Sequence, residues 1–92
     1  MPTRDDNYHV YVIQNDEGRF YIGMTDDVIR RLNDHNTGVS IWTKPRGPWA
    51  LVWTSEAMSL SEARKLENFL KRQKGGGGFF KYTGLARPIA GS

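Results

Sequence analysis

The stretch "YHVYVIQNDEGRFYIG", residues 8–23, predicts how the fold begins. Its first half, "YHVYVIQ" (8–14), is rich in β-branched and aromatic residues and is apolar on both alternating faces, which is typical of a central strand. The residues "NDEGR" (15–19) predict a turn, and "FYIG" (20–23) predicts the returning strand. The sequence therefore indicates a β-hairpin.

The loop of this hairpin decides which side chains share a face of the sheet. A three-residue loop with Gly18 in the left-handed conformation places Asn15 opposite Arg19, so the numbers of paired residues have an even sum. An even sum puts Tyr11 and Tyr21 on the same face as diagonal neighbours, about 7 to 8 Å apart. A two-residue loop would separate them, so the three-residue loop is the one that brings two phenols together.

A first helix is predicted after the hairpin, ending at about Asn36. We expect Thr25 to cap this helix and Gly38 to stop it. At about 100° per residue, Arg31 and His35 lie on a flank of the apolar face, whereas Arg30 points away from the body of the protein. The predicted acidic first turn contains Asp26 and Asp27, and the predicted apolar arc contains Val28, Ile29 and Leu32.

A third strand is predicted at "WALVWT" (49–54), followed by a second helix from Ser59 to about Lys74, because Ser59 and Glu62 have capping-box spacing. The predicted buried stripe of this helix consists of Leu60, Ala63, Leu66 and Leu70. Glu67 falls inside the stripe, where a carboxylate costs free energy unless a cation or a donor meets it. Two interpretations stay open: a metal ligand, or a structural acid paired with Arg64 or Lys71.

The chain should end in a glycine hinge, "KGGGG" (74–78), and a short turn or helix docked by aromatic residues. The hinge lacks the flanking strand and the Lys-Ser/Thr ending of a phosphate-binding P-loop. With 92 residues the chain can form only one modest core, so we expect a single domain over 1–92, with its core at about 8–85 and tails at 1–7 and 86–92. The predicted fold class is α+β, a three-stranded, mostly antiparallel sheet flanked by helices.

Composition narrows the class of protein. There is no cysteine and there are only two histidines, so neither a disulfide framework nor a thiolate zinc site is expected. We expect a cytoplasmic protein without a membrane span. The net charge of +3 and the basic residues after position 29 indicate either a phosphate-facing surface or a solvated basic face. Trp42, Trp49 and Trp53 are expected to pack at the core or its edge, although Trp42 beside Lys44 and Arg46 suits base stacking.

Three segments together resemble the GIY-YIG nuclease superfamily, in particular its small stand-alone members that are similar to the N-terminal domain of excision-repair nucleases. The segments are "HVYVIQN" (9–15), "YIGMTDDVIRRLNDH" (21–35) and a later helix that carries Glu67. The second motif is intact at 21–23, whereas the first keeps only Tyr11. A family asparagine near the end of the domain has no counterpart here.

The resemblance implies a metal-dependent endonuclease that hydrolyses DNA phosphodiester bonds in repair or recombination. It implies one Mg²⁺ or Mn²⁺ ion, held by Glu67 and bound weakly without substrate. Arg31 would bind the scissile phosphate, Tyr11 and Tyr21 would handle the attacking water, and His35 would relay a proton or contact a phosphate. The expected catalytic residues are Tyr11, Tyr21, Arg31, His35 and Glu67. The expected nucleic-acid-binding residues are Gly23, Lys44, Arg46, Lys71 and Lys74.

A second hypothesis is a non-catalytic module that keeps the nuclease fold and binds nucleic acid without cutting it. The altered first motif and the missing asparagine favour it, whereas the intact Tyr, Arg and Glu set favours the enzyme. Without a motif, each of these residues has an ordinary structural role: a strand aromatic, a surface arginine, or a histidine near a helix C-terminus. RNA as substrate, a larger repair complex as partner and the oligomeric state are left open by the sequence.

Overall fold

A computed structural model describes residues 6–37, 47–73 and 76–85. Its six elements, in chain order, are β1 (His9–Asn15), β2 (Phe20–Thr25), α1 (Val28–Thr37), β3 (Trp49–Thr54), α2 (Leu60–Gln73) and α3 (Gly77–Thr83). The strands form one sheet in the order β2-β1-β3, and both pairings are antiparallel. The predicted α+β class is confirmed, with β1 as the central strand.

The β1–β2 hairpin has the predicted register. Gly18 has a φ of 83°, and the Asn15 amide donates to the Arg19 carbonyl at 3.1 Å. Tyr11 consequently pairs with Gly23, and Ile13 pairs with Tyr21. The two tyrosines lie on the same face, and their ring centroids are 6.4 Å apart.

Two apolar clusters cover the two faces of the sheet. On one face Val10, Val12 and Ile22 pack against α2 and α3, and the buried members from these helices are Ala63, Leu70 and Phe79. On the other face Tyr11 and Ile13 form a second cluster, which α1 covers through Val28 and Leu32. Because side chains alternate along a strand, β1 supplies both clusters at once.

The start of α1 differs from the prediction. Asp27 is the N-cap, because its carboxylate accepts the Arg30 amide at 3.0 Å and its carbonyl accepts the Arg31 amide. Thr25 instead accepts the Asp27 amide at 3.1 Å, in the turn before the helix. Ile29 was predicted to join the apolar arc but is 73% exposed. The narrow sheet covers only the row of α1 that contains Val28 and Leu32, and Ile29 is turned about 100° from Val28.

The predicted capping box at the start of α2 is confirmed. The Glu62 amide donates to the Ser59 hydroxyl at 3.2 Å, and the Ser59 amide donates to the Glu62 carboxylate at 3.3 Å. Leu60 was wrongly placed in the buried stripe and is 39% exposed, because the first turn lies beyond the core cluster that receives Ala63 and Leu70.

The chain end is more helical than predicted. Gly77 and Gly78 open α3 and are not part of a hinge. Helix α3 docks through the buried Phe79 and ends at Gly84, which has a φ of 76°. Gly76 is the N-cap of α3, and the rest of the proposed hinge, at 74–75, lies outside the described residues, as does Gly38.

Within the described ranges, no helix combines the length and the apolar character needed to cross a membrane.

Candidate active site

The hydroxyl of Tyr11 is the centre of the candidate site. Tyr11 starts from the central strand, and its ring extends across Gly23 of the edge strand β2. A Cβ atom added to Gly23 would lie only 2.5 Å from Tyr11 Oη and 2.7 Å from its Cζ. Glycine at this position therefore leaves the space through which the phenol reaches the β2 edge. Contact between Gly23 and nucleic acid stays a prediction, because this internal contact already accounts for the glycine.

Tyr11 and His35 form a buried hydrogen-bonded pair. Tyr11 Oη lies 2.8 Å from His35 Nε2, and the two side chains are 1% and 0% exposed. One turn of helix separates His35 from Arg31, so α1 carries both groups to the same hydroxyl. The structure thus brings Tyr11 of the hairpin together with Arg31 and His35, which the sequence placed on one flank of the first helix.

Burial, and to a smaller extent the neighbouring Tyr21, raise the pKa of Tyr11 to about 12. The Arg31 guanidinium opposes this rise, through a hydrogen bond and through its positive charge. Glu67, from the helix on the other face of the sheet, acts weakly in the raising direction. Tyr11 is therefore a neutral phenol at physiological pH, and groups from α1 and α2 both act on its hydroxyl.

The pKa of His35 is lowered, first by burial and then by the positive charge of Arg31, against a smaller opposite effect of Asp34. His35 is consequently a neutral imidazole at neutral pH, with one unprotonated ring nitrogen. A neutral imidazole next to a neutral phenol suits proton transfer between them, because neither group carries a charge that must be desolvated beforehand.

Tyr21 belongs to an aromatic cluster around this pair. Its ring centroid is 4.9 Å from that of His35 and 6.4 Å from that of Trp49, both in edge-on geometry. Trp49 is buried and Trp53 is partly buried, which confirms their predicted packing, whereas Trp42 lies outside the described residues. The cluster fixes the orientation of the His35 ring.

The prediction that Arg31, and not Arg30, is held against the body of the protein is confirmed. The Arg31 side chain is about one-third exposed, and its Nη1 lies 3.6 Å from the Asp34 carboxylate. Arg30 is more exposed and pairs with Asp26 at 3.1 Å. Arg31 therefore offers a guanidinium that is close to the Tyr11 hydroxyl and still open to an incoming anion.

Glu67 lies at the edge of the apolar stripe of α2, and its side chain is 17% exposed. Of the two partners considered, the structure selects Lys71, whose Nζ lies 3.1 Å from Glu67 Oε2. Among the described residues, no group of three or more metal-ligating side chains occurs. A single carboxylate that acts on the Tyr11 phenol nevertheless fits Mg²⁺, which keeps most of its waters and takes its remaining ligands from a substrate phosphate.

Sequence reasoning missed two residues that support the site. Asn36 joins α1 to β3: its Nδ2 donates to the Trp49 carbonyl at 2.9 Å, and its Oδ1 accepts the Trp49 amide at 2.7 Å. Asp34 holds Arg31 from the same helix. The spacing of Asp34 and Arg31 was a usable signal for an ion pair. No local pattern indicated the contact between Asn36 and Trp49.

Three predicted nucleic-acid-binding residues, Lys44, Arg46 and Lys74, lie outside the described residues.

Comparisons with known proteins identify the family of the chain. Residues 7–85 match the family model of the GIY-YIG catalytic domain. The chain belongs to the GIY-YIG family. Membership indicates a nuclease-type activity and a nucleic-acid substrate. Within this family, the altered first motif keeps Tyr11 at the site, while Val10 packs in the core of the opposite face and His9 Nδ1 lies 2.9 Å from the Ser55 carbonyl.

Relatives of similar size also match. A UPF0213 protein of Vibrio campbellii is 37% identical over 71 residues, which is 76% of this chain and 68% of that protein. A UPF0213 protein of Halobacterium salinarum is 41% identical over 66 residues, which is 71% of this chain and 86% of that protein. The solution NMR structure of a UPF0213 protein from Bacillus halodurans is 33% identical, covers 88% of this chain and 98% of its own, and has a TM-score of 0.45.

Proposed function

We propose that this GIY-YIG protein is a metal-dependent endonuclease that hydrolyses phosphodiester bonds of DNA in repair or recombination. The observation that carries the proposal is the convergence on one phenol: Tyr11 Oη lies 2.8 Å from His35 Nε2, with Arg31 and Glu67 both acting on its pKa. Together a phenol, an imidazole, a guanidinium and a carboxylate supply the groups that phosphodiester hydrolysis needs.

Arg31 binds the scissile phosphate. Its guanidinium presents paired donors that match two phosphoryl oxygens, and it cannot lose its charge at physiological pH. The phosphate must compete with Asp34, but a contact of 3.6 Å in a partly exposed pair is weak. Negative charge that develops on the phosphoryl oxygens in the transition state then strengthens the contact with Arg31.

Tyr11 and His35 accept the proton of the attacking water. With a pKa of about 12, only about 10⁻⁵ of the Tyr11 side chain is phenolate at pH 7. A relay avoids this scarcity: the water proton moves to Tyr11 Oη while the phenol proton moves to His35 Nε2. The oxygen of the water then bonds to phosphorus as the bond to the leaving oxygen breaks, and the leaving oxygen takes a proton from bulk water while His35 later returns its proton to solvent. The negative charge of the bound phosphate helps to stabilise the imidazolium that the relay leaves.

Glu67 is the residue that would hold the divalent cation. When bound, such an ion supplies positive charge that stabilises the phosphoryl and leaving oxygens. One protein carboxylate suits a weakly held ion whose other ligands are waters and substrate oxygens. Tyr21 helps to orient the attacking water, from its place beside Tyr11 and His35.

The test is cleavage of supercoiled plasmid and of branched DNA with Mg²⁺ or Mn²⁺, with EDTA and with a single-stranded RNA as further arms. We expect metal-dependent nicking that is lost in Glu67→Ala and reduced at least 100-fold in Tyr11→Phe and His35→Gln. Tyr82→Phe is the matched control, because Tyr82 is an exposed tyrosine of α3. This variant should cleave DNA like the parent protein.

Intact DNA under all conditions, with binding retained, would refute the nuclease and leave the non-cutting module. Cleavage of RNA alone would refute the choice of DNA. Each variant should first be shown to unfold at a denaturant concentration close to that of the parent, because His35 is fully buried and a loss of folding would also abolish cleavage.

A further inference from the structure

The pair formed by Glu67 and Lys71 raises a question that the proposed chemistry does not answer. The ammonium of Lys71 lies 3.1 Å from the carboxylate that should hold the metal ion. The lysine therefore occupies one of the positions from which a cation reaches Glu67. Its side chain is about half exposed, whereas that of Glu67 is 17% exposed.

A monovalent ammonium and a divalent ion cannot share this carboxylate without strong repulsion. The carboxylate has two oxygens, but cations bound to both would lie only a few ångströms apart, where like charges repel even in water. Lys71 has the freedom to leave, because its flexible four-carbon stem and its exposure let the ammonium return to solvent. Glu67 is less free to move, since it lies at the edge of the packed stripe of α2.

We propose that Lys71 exchanges partners during the binding of metal and nucleic acid. In the metal-free protein Lys71 neutralises the largely buried Glu67. When a divalent ion binds Glu67, the released ammonium contacts a substrate phosphate. Lys71 thus weakens metal binding in the absence of DNA and strengthens DNA binding in the presence of metal. The inference builds on the proposed function and adds a coupling between its two ligands.

The first experiment measures Mn²⁺ affinity of the DNA-free protein, by electron paramagnetic resonance of the free ion. Lys71→Met keeps most of the stem and removes the charge, and we expect it to bind Mn²⁺ about tenfold more tightly than the parent. Lys65→Met is the matched control: Lys65 is another exposed lysine of α2, about 200° around the helix from Glu67, beside the groove lined by Phe69 and Tyr82. It should leave Mn²⁺ affinity within twofold.

The second experiment measures DNA affinity against salt concentration, by fluorescence anisotropy in a Tyr11→Phe background, in which cleavage should be at least 100-fold slower. In Mg²⁺, Lys71→Met should reduce the slope of log K against log salt by about one, because one phosphate contact is lost. In EDTA the same substitution should leave the slope unchanged, since Lys71 is then held by Glu67. Glu67→Gln in EDTA should release Lys71 and increase the slope by about one.

The outcomes separate the exchange from the metal site itself. A slope that Lys71→Met lowers equally with and without metal would identify a permanent phosphate contact and refute the exchange. Unchanged slopes together with unchanged Mn²⁺ affinity would identify an ordinary surface ion pair and refute it as well. Glu67→Gln should abolish Mn²⁺ binding; if it binds Mn²⁺ like the parent, the proposed metal site fails and the exchange fails with it. Loss of Mn²⁺ in Glu67→Gln with no effect of Lys71→Met refutes the exchange alone.

Discussion

Replacement of Gly23 by alanine should disrupt the site from within. The backbone of Gly23 has no positive φ, so alanine would be tolerated there if space were available. Space is not available, because the new Cβ would lie 2.5 Å from Tyr11 Oη and 2.9 Å from its Cε1. The ring of Tyr11 must therefore move by about an ångström, against the well-packed cluster that surrounds it.

The expected cost follows from two contributions. Overpacking of a core costs about 1–3 kcal/mol. Displacement of the Tyr11 hydroxyl also lengthens its 2.8 Å contact with His35, and a buried polar group that loses its partner costs about 1–3 kcal/mol more. Alanine regains up to about 1 kcal/mol, because glycine loses more conformational entropy on folding. We expect Gly23→Ala to lower the free energy of unfolding by about 1–6 kcal/mol and to lower cleavage about 100-fold.

Urea unfolding followed by tryptophan fluorescence measures the first quantity, and plasmid nicking measures the second. Gly78→Ala is the control, because its Cβ would lie 2.6 Å from Gln73 Oε1, the far end of a flexible side chain that can turn away. Alanine within α3 should then be neutral or stabilising. The reasoning is refuted if Gly23→Ala unfolds within about 0.5 kcal/mol of the parent, the range of ordinary surface substitutions.

Three further predictions concern charge and the attachment of α1. The folded pKa of Tyr11, about 12, exceeds the unfolded value of about 10. The associated stability, about 2–3 kcal/mol, is therefore complete below pH 10 and is lost as pH rises through 12. Absorbance of tyrosinate at alkaline pH should show this late titration, and a Tyr11 phenol that titrates near pH 10 would contradict it. The lowered pKa of His35 gives the opposite pH dependence of stability. Unfolding experiments should show that the contribution of His35 is complete above about pH 6.5 and falls as pH drops through the folded pKa. The variant His35→Gln should lack this dependence. Asn36→Ala removes both hydrogen bonds to Trp49 and should lower the free energy of unfolding in urea by about 1–2 kcal/mol. The control Asn33→Ala, at an exposed position of α1, should lower it by less than about 0.5 kcal/mol. Equal losses in the two variants would show that the contact with Trp49 contributes little.

The hairpin could be predicted from sequence because its determinants are local. Gly18 selects the loop, the loop selects the register, and the register places Tyr11 beside Tyr21. The capping box of Ser59 and Glu62 is equally local, and it was confirmed. Features that depend on a few adjacent residues were therefore available before any tertiary contact was known.

Predictions of burial were less successful where they depended on how far the sheet extends beneath a helix. The arrangement around the helix axis correctly separated Arg31 from Arg30, but it also buried Ile29, which the narrow sheet leaves exposed. A helical wheel gives the direction in which each side chain points, but it does not give the width of the sheet against which the helix packs. The predicted register places Gly23 opposite Tyr11, but it does not show that the Tyr11 ring lies across the glycine. The role of Asn36 arises from its contact with Trp49, 13 positions away, and no single-sequence pattern indicates that contact.

The placement of Tyr11 on the central strand, whose two faces are covered by different helices, has a consequence for the newly synthesised chain. The proposed catalytic set extends from Tyr11 to Glu67, and its members are attached through α1 on one face and α2 on the other. A chain shorter than 67 residues lacks Glu67, and a chain in which α2 has not packed leaves this carboxylate unplaced. Cleavage should therefore begin only when folding is complete, so a partly synthesised chain should not cleave nucleic acid near the ribosome.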